Sequence, residues 1–126
     1  MDPGSERDIA ALQGDWEQVA LEVDGIANPP DDYGTDLVTT FTGRQFVVRA
    51  VDGTVVLAGA FTVDASTTPR SITWVDSMGT DAGKALPAIY ILDGDTFTFV
   101  AGDEGAPRPQ RFVTTLGQTM RILRRR

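Results

Sequence analysis

The sequence predicts an all-β protein: a single antiparallel barrel of about eight to nine strands with a short N-terminal helix, residues 1–126 forming one domain. Three observations predict it. Short stretches of alternating apolar and polar residues recur along the chain, which is the period of half-buried strands. Asp-Gly, Thr-Gly and Pro-containing breaks separate them, as hairpins and loops require. The 126 residues suit one core, which at this length buries about two-thirds of the unfolded surface.

Met1–Gly4 and residues 125–126 are expected to fray. Ser5, followed by Glu6, Arg7 and Asp8, reads as the start of a two-turn helix carrying Ile9 and Leu12. Gly14 ends it, and Asp15 turns the chain into a strand from Trp16 to Val23. There Val19, Leu21 and Val23 share one face and Trp16 falls on the other with Gln18, which calls for a bend or bulge. Asp24-Gly25 is a turn, and the prolines of Asn28–Gly34 make that segment a loop.

Leu37, Thr39 and Phe41 alternate before Thr42-Gly43, and Phe46 and Val48 after it. Asp52-Gly53 turns into Thr54–Val63, with Val55, Leu57, Gly59, Phe61 and Val63 on one face. A strand with Ile72 and Trp74 follows, then a polar loop from Ser77 to Lys84. Leu86–Leu92 and Thr96–Ala101 flank the Asp93-Gly94-Asp95 hairpin. A loop over Gly102–Pro109, a strand around Phe112 and a last strand from Gln118 to Arg124 complete the pattern.

A net charge of −7 repels phosphate backbones and anionic headgroups, so neither nucleic acid nor a membrane surface is an expected partner. No apolar run approaches the roughly 18 residues of a membrane-spanning helix, and the first eight residues lack a signal peptide's basic start. The expected location is the cytoplasm. With no Cys and no His, disulfides, thiolate nucleophiles, Ser-His-Asp catalysis and the usual zinc sites are excluded. No cofactor, metal site or catalytic residue is predicted. Asp31-Asp32, Asp93–Asp95 and Asp103-Glu104 read as turn residues and match no calcium loop.

Seven aromatic rings, Phe41, Phe46, Phe61, Trp74, Tyr90, Phe97 and Phe99, fall on the apolar phase of their strands. Such an interior is either packed solid or keeps a pocket for one small molecule. Gly59, Ala88 and Thr39 at inward phase are the positions where missing bulk would leave space.

The runs Leu12-Gln13-Gly14-Asp15-Trp16, Glu22–Gly25, Phe41-Thr42-Gly43, Leu92–Thr96, Arg108-Pro109 and Gly117-Gln118-Thr119 resemble a bacterial family of small lipocalin-like domains of uncharacterised function. The resemblance spans about residues 9–124. It implies a calycin-type barrel in which Trp16 plugs one end and a basic side chain of the last strand covers its ring. Arg121 and Arg124 are the candidates, and Arg121 is the one chosen. Access then lies at the other end, beside Asp24–Asp36 and the Asp52-Gly53 turn.

The expected ligand residues are Tyr33 at the rim and Phe46, Phe61, Trp74, Tyr90 and Phe99 inside, with Arg108 the cation for a carboxylate. The function expected is a non-catalytic module holding a small apolar molecule. The alternatives are a structural or protein-interaction domain with a packed interior and, third, an enzyme working without His or Cys.

Overall fold

Asp2 sets where regular structure begins. Its carboxylate accepts from the Ser5 backbone N–H at 3.0 Å and from Ser5 Oγ at 2.6 Å, capping α1 (Pro3–Leu12) with Pro3 in the first turn. The helix therefore starts two residues before the Ser5 start expected from sequence, and Asp2–Gly4 are ordered by the cap; Met1 lies outside the described residues, which run from 2 to 126 in this computed structural model. Ser5 is fully buried because its Oγ also accepts from the Ala65 N–H, tying the helix to the barrel.

Gly14, with φ +105°, takes a backbone angle that side chains resist and redirects the chain into the first strand. The strands are β1 (Gly14–Val23), β2 (Ile26–Ala27), β3 (Val38–Thr42), β4 (Gln45–Arg49), β5 (Val55–Asp64), β6 (Arg70–Asp76), β7 (Ala85–Asp93), β8 (Thr96–Ala101) and β9 (Thr119–Arg125). All neighbours pair antiparallel in the order β1-β3-β4-β5-β6-β7-β8-β9, and β9 returns to β1. The result is a closed eight-stranded up-and-down barrel, with the two-residue β2 as one extra strand on β1. Among the described residues no helix is long and apolar enough to cross a membrane.

The strand expected around Phe112 is absent, and residues 102–118 form turns and bends instead. The physical reason is the closure itself: β8 already has β7 and β9 as neighbours, so no edge is free to receive another long strand. This connection is held to the barrel by polar contacts. Thr114 donates to Glu22 from both N–H and Oγ1 at 2.7 Å, and the Gly117 N–H donates to Asp24 Oδ1 at 2.8 Å.

The bulge demanded by Trp16 is present. Gln18 faces Leu123 and Ala20 faces Ile122, so Val19 is the extra residue in β1 and is exposed. That insertion puts Trp16 and Gln18 in phase with Leu21, whose partner on β9 is Arg121.

One end of the barrel is closed. α1 lies there with the β3–β4, β5–β6 and β7–β8 turns, and Trp16 is wholly buried with its indole N–H donated to the Leu12 carbonyl at 2.8 Å. The basic cover of Trp16 is Arg125, 4.3 Å from the ring centroid, and not Arg121. Register explains the correction: Trp16 pairs directly with Arg125, whereas Arg121 lies four residues farther along β9. Arg125 also donates to the Gln13 carbonyl at 3.0 Å and to the Ala11 carbonyl at the end of α1, so this residue, expected to fray, belongs to β9 and holds the helix down.

Asp8 of α1 is held from β6 and β7: its Oδ2 accepts from Tyr90 Oη at 2.5 Å and from Arg70 at 2.8 Å. Burial and the Asp8 charge push the Tyr90 hydroxyl well above its ordinary range, so it stays a donor. Tyr90→Phe keeps the ring and deletes one charge-assisted bond. The expected loss is about 1.5–3 kcal/mol of unfolding free energy in a urea titration, and a change under 0.5 kcal/mol would show that Arg70 alone satisfies Asp8.

Candidate functional site

Beyond this packed end the rings stop filling the barrel. Trp74 touches Phe41, Phe46, Phe61, Phe97 and Phe99 with centroid distances from 4.8 to 6.4 Å, and above it opens a cavity of about 190 Å³. Phe41 and Leu123 complete the floor; Phe46, Val48, Leu57, Leu86 and Phe99 form the walls. A cavity of about 150 Å³ accommodates one benzene ring, so at that density this one takes about eight non-hydrogen atoms.

The mouth is polar. β1 and β9 bring Gln18 and Arg121 to its edge, where Arg121 donates to Asp31 Oδ2 and to Gln18 Oε1, each at 2.7 Å, and Gln18 Nε2 donates to the same Asp31 oxygen at 2.9 Å. Burial works to raise the Asp31 pKa, but the bonds from Arg121 and Gln18 outweigh it and hold the carboxyl below the usual range. Asp31 therefore stays charged at neutral pH, and this anchor of the Asp24–Leu37 connection is lost only as pH falls through the lowered value. Arg121 also lies 5.6 Å from the Tyr33 ring.

On the other side, Asp76 ends β6 and lines the cavity. It is only 6 % exposed, and its carboxylate has no hydrogen bond or ion pair among the described residues. Burial, reinforced by the Asp81 charge, pushes its pKa up. Trp74 is also 6 % exposed, and its indole N–H is a buried donor without a partner among the described residues.

The expected residues divide between the two ends. Tyr33 is at the rim and Phe46, Trp74 and Phe99 line the cavity. Phe61 and Tyr90 face inward but do not line it: Phe61 is packed against Trp74 and Phe41, and Tyr90 is committed to Asp8 at the closed end. Arg108 does not reach it either. Its guanidinium donates to the Ile72 and Ala88 carbonyls and to Thr73 Oγ1 at 2.7–2.9 Å, beside Pro87, which has no N–H to give the ladder.

Of the positions expected to leave space, Thr39 lines the cavity, Ala88 is sealed in the core, and Gly59 is filled by the Phe46 ring. Asp31, expected as a turn residue only, makes its turn bond to the Tyr33 N–H and also holds Arg121. Sequence reasoning missed Asp76, although its signal was present: it follows Ile72 and Trp74 at the inward phase of one strand.

Comparison with family models, with curated proteins and with solved structures finds no match to this chain.

Proposed function

We propose that this barrel is a non-catalytic binding module of lipocalin-like type that holds one small, largely apolar molecule above Trp74. The single observation that carries the reading is the cavity of about 190 Å³ in an interior that is otherwise packed with rings. An interior serving only architecture gains by filling such a space, since voids cost contacts on every wall. Three connections besides the Asp24–Leu37 loop lie at the same end, so entry does not require the helix to move.

Benzyl alcohol, with eight non-hydrogen atoms, matches the volume. In a methyl-labelled sample it is expected to shift Val48, Leu57, Leu86 and Leu123, all of which line the cavity. Ala101→Leu adds bulk at a partly buried lining position and is expected to abolish those shifts while the protein stays folded. Shifts confined to exposed Val51 and Val55, or none at all, would count against the reading.

A further inference from the structure

The geometry points to a protonated amine as the ligand class, its ammonium group on Asp76 and its apolar body against Phe46, Trp74 and Phe99. This inference rests on the cavity reading above and specifies its chemistry.

The charges around the cavity select the sign. Arg121 is the one cation among the lining residues, and it is already neutralised by Asp31 at 2.7 Å. Asp76, Asp81 and Asp103 line the same space; Asp81 has Lys84 at 3.7 Å, whereas Asp76 has no cation at all. An anionic ligand would meet the unpaired Asp76 carboxylate in a partly enclosed site, where a like-charge contact costs more than in bulk water. A cation brings what the site lacks. Burying a carboxylate without a partner is unfavourable, and an ammonium donor both pairs its charge and fills its lone pairs.

An inorganic ion is the poorer occupant. No group of three or more metal-ligating side chains lies together among the described residues, so a divalent cation would find too few oxygens. The walls also favour an organic cation, because ring faces attract ammonium groups in addition to giving apolar contact.

The same arrangement makes binding depend on pH. The groups around Asp76 are Asp81 and Lys84 from the 77–84 loop, Asp103 from the 102–118 connection, and Tyr33 with the Asp31–Arg121 pair across the mouth. With its carboxyl shifted upward by burial and by Asp81, Asp76 takes up its proton at a higher pH than the paired Asp31. Amine binding is therefore expected to weaken on acidification while the Arg121 anchor is still intact.

Three probes of nearly equal size separate the possibilities by isothermal titration at neutral pH: benzylamine, benzyl alcohol and benzoate. Benzylamine is expected to bind at least tenfold more tightly than benzyl alcohol, and benzoate more weakly than either. Asp76→Asn is expected to bring benzylamine down to the benzyl alcohol level and to leave benzyl alcohol within twofold; Asp76→Glu is expected to retain part of the preference. Benzyl alcohol binding with no preference for benzylamine, or a preference that survives Asp76→Asn, would overturn the amine assignment and leave the cavity reading standing. Failure of all three probes to bind would overturn both.

Discussion

Trp16→Ala is expected to lower the unfolding free energy by about 3–5 kcal/mol. The indole is wholly buried, packs edge-on against Phe97 at 6.1 Å, donates to the last turn of α1 and carries Arg125 on its face. Truncation opens a ring-sized void, leaves the Leu12 carbonyl without its donor and removes the surface on which Arg125 rests. The helix loses two of its attachments at once, so the loss is expected to exceed what area alone predicts. Guanidinium denaturation followed by circular dichroism measures it. Trp16→Phe, which keeps most of the packing and gives up the N–H bond, is expected to cost less. If both variants lie within 1 kcal/mol of the parent, the closed end does not depend on this plug.

Gly59→Ala is the second large effect, and here adding one carbon does the damage. A Cβ at this position would lie 2.3 Å from the Val75 carbonyl oxygen and 2.9 Å from Asp76 Cα and from the Phe46 ring. Two of those three neighbours are backbone in the paired strand, and they cannot yield without breaking the β5–β6 ladder. The expected cost is about 2–3 kcal/mol, at the upper end for overpacking. The displaced Phe46 ring would have to move toward the cavity, so benzyl alcohol binding is expected to fall together with the melting temperature. A variant as stable as the parent would show that the two strands can separate here.

The positions of the barrel strands along the chain were legible because each carries its own period-2 pattern and each hairpin its own turn residues, as at Thr42-Gly43 and Asp93–Asp95. Tyr33, Phe46, Trp74 and Phe99 were legible for the same reason, phase along a strand plus position relative to a long loop. What failed needed information that a local pattern does not contain. Arg125 was set aside as part of a fraying tail, yet pairing with Trp16 makes it a strand residue; that pairing joins positions 109 residues apart in sequence. Gly59 looks the same in a sequence whether it leaves a hole or receives a ring. Phe61 and Tyr90 share the inward phase of the lining rings, but Phe61 is packed against Phe41 and Trp74 and Tyr90 is bonded to Asp8, contacts that phase alone does not reveal. The strand expected around Phe112 has no free edge to pair with once β9 closes the barrel on β1, which no local pattern states.

The position of the helix has a further consequence. α1 begins beside Ala65, and the Arg126 N–H donates to the Asp15 carbonyl at 3.0 Å, so the first and last described residues both lie at the pole away from the mouth. Any polypeptide joined at either end extends from that pole, leaving the cavity entrance unobstructed. The Asp52-Gly53 turn lies outside the regular strands, so a cut there interrupts none of them. A tag or surface attachment placed at either end is therefore expected to leave ligand entry unobstructed.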